Sequence, residues 1–369
     1  MILQIVKMRL PVSVLIIICS LIFSCEPLVT KFEDIEKAEF YKAKNISSVP
    51  NDVDTVVFMT WNIRFGAGRI RWFGDCCGDR VILTENEVYE NLEGLVQKID
   101  EIKPDIIFLQ EVDVESKRTG YIDQVQWLLD HTHFNYGAYA SMWQAQVVPS
   151  DGLGRVNTGN AVLSRWKIID AERIQLPLRE DQDALTQYFY LRRNILKTEI
   201  EVPGLSEFCA INIHMSAFCT DDTKERQIIR LLEELNNLKD AAFVLGGDFN
   251  LIPPGSDSVD FCDEDKCPDE SFHGANDDPY HKEGSYFGDE ITLMQALYDE
   301  YKPALPLLKY QNNQDYYFSH STDEAGFWDR KLDYLFSNYE WIDNSDSTHQ
   351  EARSLSDHAP VTAKWRIPK

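Results

Sequence analysis

The sequence predicts an α/β fold with short buried strands inside and amphipathic helices outside, and three observations carry the prediction. Runs of β-branched and aromatic residues recur along residues 54–369, helical patterns stand between them, and neither a fixed-period repeat nor a Gly/Pro-rich linker divides the region. The first run, Val56-Val57-Phe58-Met59, has the content of a buried strand. Thr84 with Glu87 three residues on forms a capping box. Val88, Leu92, Leu95, Val96, Ile99 and Ile102 then share one helical face until Pro104 stops it. Residues 106–109 form the next strand. The unit recurs with Ile228, Ile229, Leu231, Leu232, Leu235 and Leu238 as a helix leading into Phe243-Val244-Leu245, and further strands lie near 195–199, 208–213, 332–336 and 361–365.

Residues 1–24 are a different object. Lys7 and Arg9 precede the apolar run 10–23, which is shorter than the about 20 residues that a hydrocarbon core of ~30 Å requires, so it reads as an export signal. Leu21-Ile22-Phe23-Ser24-Cys25 resembles the lipobox of bacterial lipoprotein signals. The resemblance makes Cys25 the acylated first residue of an exported chain, anchored to the cell envelope on the periplasmic or surface face of the outer membrane. Residues 25–53 are polar, carry no strong period and read as a tether, so the folded domain is expected to begin near residue 54.

Thirty-six Lys and Arg face 61 Asp and Glu, a formal charge of −25 that becomes −27 once Lys7 and Arg9 leave with the signal. A bare polyanion-binding groove is excluded, because phosphate contacts need clustered basic groups. A metal-dependent phosphoesterase escapes that exclusion, since bound divalent cations supply the missing positive charge. Export permits disulfides. Of the cysteines that remain, Cys76, Cys77, Cys209, Cys219, Cys262 and Cys267, the pair Cys262–Cys267 closes a short acidic loop and is the expected bridge; with His273 and His281 the same two form a zinc alternative. That loop belongs to residues 257–290, which hold 12 acidic residues against Lys266 and Lys282. A solvated insertion is the plain reading, and a structural Ca²⁺ site is the sharper one, without EF-hand spacing to support it.

Several strands run into polar residues that folding alone would not choose: Asn62, Gln110-Glu111, His214, Gly246-Gly247-Asp248-Phe249-Asn250, Asp333, and Ser356-Asp357-His358 before the last strand. Ligand sites in open α/β sheets lie beyond strand ends. Oxygen ligands from Glu111 and neighbouring Asn or Asp groups suit Mg²⁺, a carboxylate can take a proton from water, and a histidine can donate to phosphate. The paired glycines would let backbone approach a phosphate. No P-loop, Gly-x-Ser-x-Gly or His-Glu-x-x-His motif is present.

The ordered set Thr60-Trp61-Asn62-Ile63-Arg64, Leu109-Gln110-Glu111-Val112, Gly159-Asn160-Ala161-Val162-Leu163-Ser164-Arg165, Asn212-Ile213-His214, Gly247-Asp248-Phe249-Asn250, Leu332-Asp333-Tyr334 and Ser356-Asp357-His358-Ala359-Pro360-Val361 resembles the endonuclease/exonuclease/phosphatase superfamily. That group includes deoxyribonuclease I, abasic-site endonucleases, bacterial sphingomyelinases and inositol polyphosphate 5-phosphatases. The resemblance spans about residues 54–366 and implies a four-layered α/β/β/α sandwich of two packed mixed sheets with the site at one edge. It implies metal ligation by Glu111, Asn62 and Asp357, with Mg²⁺ as the ion and Mn²⁺ as the alternative. It further implies that Asp248 positions or activates the attacking water, that Asn250 contacts the phosphoryl group, and that His358, oriented by Asp333, serves as base or stabilises the phosphorus. His214 matches the second histidine of the deoxyribonuclease and sphingomyelinase branches. Arg193, before the strand 195–199, matches a phosphate-contacting arginine, and Asn160, in the Gly159-Asn160 motif, is expected to bind substrate. Trp328-Asp329-Arg330 looks like part of the Trp-Cys-Asp-Arg motif of inositol 5-phosphatases, but it lies four residues before Asp333 and lacks the cysteine, so it is read as coincidence.

Between Asn62 and the capped helix, residues 64–74 carry Arg64, Arg69, Arg71, Trp72 and Phe73. The expectation is a recognition loop, with Arg64 and Arg69 on a second anionic group and Trp72 stacking on a ring or dipping into lipid. The expectation is therefore an exported, lipid-anchored, Mg²⁺-dependent phosphoesterase acting on a small or lipid-linked phosphodiester, with the membrane met through the anchor and no obligate protein partner. The alternatives are a secreted deoxyribonuclease-like endonuclease and, in another class, a surface binding lipoprotein without catalysis.

Overall fold

Period-two alternation sorts the strand residues onto two faces, and the faces explain both the architecture and the place of the site. The structure, a computed structural model, describes residues 28–74, 78–239, 241–265, 285–322 and 328–367. Expectations for the signal, for Cys25, for the Cys262–Cys267 bridge, for the zinc alternative and for most of the acidic insertion lie outside the described residues.

The strands are β1 (Ile35–Lys37), β2 (Glu39–Lys42), β3 (Thr55–Asn62), β4 (Ile106–Asp113), β5 (Tyr136–Val148), β6 (Gly154–Ser164) and β7 (Ile168–Gln175). They continue with β8 (Asn194–Ile200), β9 (Phe208–His214), β10 (Ala242–Asp248), β11 (Lys302–Pro303), β12 (Asp333–Ser337), β13 (Ser347–Thr348) and β14 (Val361–Arg366). Two seven-stranded mixed sheets result, ordered β13-β14-β3-β4-β6-β5-β2 and β1-β7-β8-β9-β10-β12-β11. On β3 and β4, Val56, Phe58, Ile106 and Phe108 point inward and meet Ala210, Val244 and Leu335 of the other sheet in a fully buried core. The alternate residues Met59, Trp61, Ile107 and Leu109 point outward, where α1 (Glu85–Ile102) and α2 (Gln124–His131) cover them. The outer face of the second sheet, with Ile211, Ile213, Phe243 and Leu245, is covered by α4 (Thr223–Asn237), the helix that follows the short α3 (Ala184–Phe189). The expected four layers are present.

The capping box is as expected: Thr84 accepts from the Glu87 N–H at 3.3 Å, and Glu87 returns the bond to the Thr84 N–H at 2.8 Å. Gly246 and Gly247 play a different part from the one expected. A Cβ on Gly246 would stand 2.5 Å from the Phe108 ring of the opposite sheet, and one on Gly247, whose φ is +152°, 1.9 Å from the Ile213 carbonyl. The two glycines make room for sheet packing and for β9, not for a phosphate.

The tether expectation is corrected. Residues from Leu28 onward belong to the folded body: β1 pairs with β7 at the edge of one sheet, and β2, one residue later, pairs with β5 at the edge of the other. Ala38 between them is buried in the inter-sheet core, with its N–H on the Ala171 carbonyl at 3.0 Å. The segment straps the two sheet edges together, and satisfying both edges is worth more than leaving a polar segment free.

Candidate active site

The site is the end layer of the inter-sheet core. Along β3 the inward face reads Val56, Phe58, Thr60, Asn62; along β9 it reads Phe208, Ala210, Asn212, His214; along β10, Ala242, Val244, Gly246, Asp248. Parallel pairing of β3 with β4 and of β9 with β10 brings their C-terminal ends to one edge, and antiparallel β12 and β14 begin at that same edge. Asp248 therefore stands opposite both His214 and Asp333 in register.

A polar layer beneath locks the two sheets. Gln110 donates to Asn212 Oδ1 at 2.7 Å and to Thr60 Oγ1 at 3.2 Å, while Asn212 donates to the Leu109 and Ala161 carbonyls at 2.8 and 2.9 Å. Beyond Gln110 the register of β4 slips between Leu109 and Val112, and Glu111 takes a φ of +56°. The bulge aims two consecutive side chains at the site region, which an unbroken strand could not do.

Asn62, fully buried, donates from Nδ2 to Glu111 Oε1 at 3.2 Å and to Asp248 Oδ2 at 3.1 Å, and its Oδ1 accepts the Arg64 N–H at 3.0 Å. The backbone N–H fixes which end of the amide faces where. Asn62 thus ties two carboxylates together. Asp248 Oδ2 also lies 3.3 Å from His214 Nε2 and 3.6 Å from His358 Nε2, and Oδ1 accepts the Asn250 N–H at 3.0 Å. Asn250 has a φ of +50°, with its Nδ2 on the Met215 carbonyl at 3.1 Å.

His358 Nδ1 meets Asp333 Oδ2 at 2.8 Å, and Ser319 Oγ donates to the same oxygen at 2.7 Å. Burial opposes the charge on His358, but Asp333 and Asp248 outweigh it and raise its pKa to about 10. Burial pushes Asp248 up to about 7, with His358 pulling down and Asp333 pushing up. His214 is held well below the ordinary histidine range by burial and by the positive charges of Arg193 and His358, so it is neutral. Asp248, Asp333 and His358 are, among the described residues, the one acid/histidine group whose ligand atoms all lie within 4.8 Å of one another. This group could bind a divalent metal, provided that His358 gives up its proton.

Other expected residues are placed differently. Asp357 pairs with Arg64: burial opposes its charge, but Arg64, with Nε at 3.2 Å, holds its carboxyl below the usual range. Arg64 itself is buried, donates to the Gly68 carbonyl at 2.6 Å, and opens a left-handed run, Arg64, Phe65 and Gly66 at φ +46°, +45° and +68°. Arg69 donates to the Arg353 and Ser321 carbonyls at 2.9 and 2.6 Å. Trp72 packs edge-on against Phe65 and Phe73, with its Nε1 on the Val81 carbonyl at 3.2 Å. The residues of the expected recognition loop thus pack onto the domain, with Arg64, Arg69 and Trp72 each bonded to a backbone carbonyl of the chain itself. Asn160 is fully buried and donates to the Asn194 carbonyl and Oδ1 at 3.1 Å each. Arg193, immediately before β8, is buried, touches Met142 Sδ at 3.4 Å, and keeps a buried Nε without a partner. Glu111 and Asp248 are the acids whose charges reach it.

Asp329-Arg330 is structural. Arg330 makes a bidentate pair with Asp265 at 2.8 and 2.9 Å and pairs with Asp329 at 2.6 Å, and Asp265 also accepts from Ser285 at 2.6 Å. Asp265, within the 257–290 segment, is thereby met by an arginine, and among the described residues no three acidic or histidine groups of that segment gather their ligand atoms. Sequence reading passed over Ser319, Asn194 and Lys224, whose Nζ donates to the Asn250 carbonyl at 3.0 Å and pairs with Glu290. The signal for Asn194 was a polar residue opening an apolar strand, and for Lys224 a lysine in the first turn of a helix beside the site; Ser319, in a loop, carried none.

The two-sheet sandwich carries an acid–imidazole–acid chain at its edge, an arrangement that can hold and move a proton at a reacting centre. The sequence profile of the Endonuclease/Exonuclease/phosphatase family matches residues 59–358, and the chain belongs to that family; it is a phosphoric ester hydrolase. Its fold is similar to that of an endonuclease/exonuclease/phosphatase from Beutenbergia cavernae, at 18 % identity and TM-score 0.55 over 85 % of this chain and 72 % of that one. It is also similar to a family protein from Leptotrichia buccalis, at 16 % identity and TM-score 0.52 over 85 % and 100 %. A third similar structure is an endonuclease/exonuclease/phosphatase from Bacteroides vulgatus, at 14 % identity and TM-score 0.50 over 85 % and 99 %. Among curated proteins, none matches the sequence.

Proposed function

We propose that the chain is an exported, lipid-anchored phosphodiesterase that uses Mg²⁺, with Mn²⁺ as the alternative, and attacks a small or lipid-linked phosphodiester with water. The observation that supports this best is the buried guanidinium of Arg193, which has no carboxylate bonded to it and lies within the electrostatic reach of Asp248 and Glu111. A buried cation without a bonded anion is costly. A phosphate would complete it.

Glu111 fits a hydrated hard cation: it offers oxygen donors, and at 27 % its side chain keeps more solvent access than Asp248 or His214, each at 1 %. Bound there, Mg²⁺ would supply positive charge at the phosphoryl oxygens. Arg193 binds a non-bridging oxygen. Ionised Asp248 accepts the proton of the attacking water at Oδ2, and neutral His214 and the Asn62 amide hold that carboxylate in place. Charged His358 directs its Nε2–H at the same pocket and stabilises negative charge as it builds on the phosphoryl group, while Asp333 and Ser319 keep the imidazole in one orientation. The preference for a small or lipid-linked substrate rests on charge: among the described residues the buried Arg193 guanidinium serves one phosphate, whereas tight duplex binding draws on about 6–10 phosphate contacts.

The test is an assay of the mature chain with Mg²⁺ against bis-p-nitrophenyl phosphate, sphingomyelin, plasmid DNA and a panel of phosphomonoesters. Diester hydrolysis above monoester hydrolysis supports the reading. Efficient plasmid nicking that persists at high salt would favour the endonuclease instead.

A further inference from the structure

Two residues, Glu26 and Pro27, separate Cys25 from Leu28, and Leu28 is already part of the folded body. Its carbonyl accepts the Gln146 N–H at 2.9 Å, the Thr30 N–H donates to the Gln144 carbonyl at 2.8 Å, and Val29, at 1 % exposure, bridges to Ala145 on the β5–β6 hairpin.

That hairpin is the part of the sandwich that runs past the site. Asn160 of β6 stands opposite Ala140 of β5, at the level of the site's strand ends. Gln144 lies four residues further along β5, which at the usual rise of a strand is roughly 13 Å. Between the two levels Met142 holds Arg193, with its sulfur on Nη1 at 3.4 Å, and its carbonyl accepts the Arg192 N–H at 2.6 Å. Leu28 and Val29 therefore stand on the rim of the site. Leu28 and Val147, 52 % and 50 % exposed, lie on the two paired segments there.

We infer that this rim rests on a lipid bilayer, with the mouth of the site turned toward the membrane surface and within reach of its head groups. The inference rests on the acylated anchor at Cys25 in the proposed function. Three residue steps separate Cys25 from Leu28, so a lipid on Cys25 holds Leu28 within about 11 Å of the membrane even if those steps are fully extended. No polar tether remains to decouple the hairpin from the surface, because residues 28–53 are strapped to the sheets.

Hydrogen exchange tests the inference on the acylated mature chain in phosphatidylcholine vesicles, compared with soluble Cys25→Ala. Protection of amides in 28–30 and 143–148, with exchange slowed about tenfold or more on the vesicles, is expected. A second variant with about 20 Gly/Ser residues inserted after Pro27 should stay on the vesicles, lose that protection, and hydrolyse soluble bis-p-nitrophenyl phosphate at the rate of the parent chain. A chain that carries its lipid and sits on vesicles with unchanged exchange at these amides would overturn the orientation alone. An intact mass without acyl chain, and no vesicle binding, would overturn the anchor and the orientation with it. Failure of the phosphoesterase reading shows separately, as no turnover of soluble diester by either form.

Discussion

His358 Nδ1 lies 2.8 Å from Asp333 Oδ2, and the other ring nitrogen points at Asp248 Oδ2, 3.6 Å away. The imidazole is held between two buried carboxylates, one on each neighbouring strand of a single sheet. Only one of them is bonded closely enough to fix the ring, which divides the roles proposed for them: Asp333 orients the ring, and Asp248 takes the proton of the attacking water.

That division predicts different losses. His358→Ala should lower kcat by about 10²–10⁴, the scale of acid/base and electrostatic groups. Asp333→Asn should lower kcat with less effect on KM, because it releases the ring without removing a group that touches substrate. Steady-state kinetics with circular dichroism as a folding control would measure both. A loss of only severalfold in His358→Ala would place the chemistry elsewhere.

The raised pKa of Asp248 sets the direction of the pH profile. As a base Asp248 works only when ionised, so kcat should fall as pH drops through about 7, where burial makes it take up its proton. A bound cation near it moves this limb to lower pH without reversing it. His358 stays charged until about 10, so its loss belongs to the alkaline side. A kcat that rises toward acid pH would contradict the assignment.

Arg193 separates function from stability. Arg193→Met removes a buried charge without breaking an ion pair, so thermal stability should hold or rise. KM for a diester should rise by about tenfold or more, the value of one charge-assisted contact. Differential scanning calorimetry beside kinetics gives both numbers, and a loss of stability with unchanged KM would make the residue structural.

Arg64 and Asp357 give the opposite case. Arg64→Ala leaves Asp357 without its partner and frees a strained left-handed turn, at a cost of about 2–3 kcal/mol, less than a fully buried pair because Asp357 keeps 21 % exposure. The double variant with Asp357→Ala should cost less than the sum of the singles, as urea unfolding would register. Additive losses would mean that the pair is not coupled.

Much of this was legible in the residues. The alternation that buries Val56 and Phe58 also puts Asn62 inward, and the same holds for Ala210 before His214 and Val244 before Asp248. The long edge-side strands β5 and β7 were not legible, because Tyr-Gly-Ala-Tyr-Ala and Asp-Ala-Glu-Arg lack apolar runs; pairing with neighbours, not composition, makes them strands. The strap 28–53 failed for a similar reason: each of its strands has only three or four residues, and short edge strands take their structure from the sheet they close. The arginines of 64–74 read as a recognition loop because sequence gives charge but not direction. Backbone carbonyls and Asp357 turn Arg64 and Arg69 inward.

The most direct measurement is the turnover of bis-p-nitrophenyl phosphate by the mature chain, in Mg²⁺ and in EDTA, beside Glu111→Gln and Asp248→Asn. Metal-assisted attack of water predicts activity that disappears in EDTA, a raised Mg²⁺ requirement for Glu111→Gln, and kcat lower by about 10²–10⁴ for folded Asp248→Asn. Full activity in EDTA, or an Asp248→Asn variant that turns over at the rate of the parent chain, would contradict it.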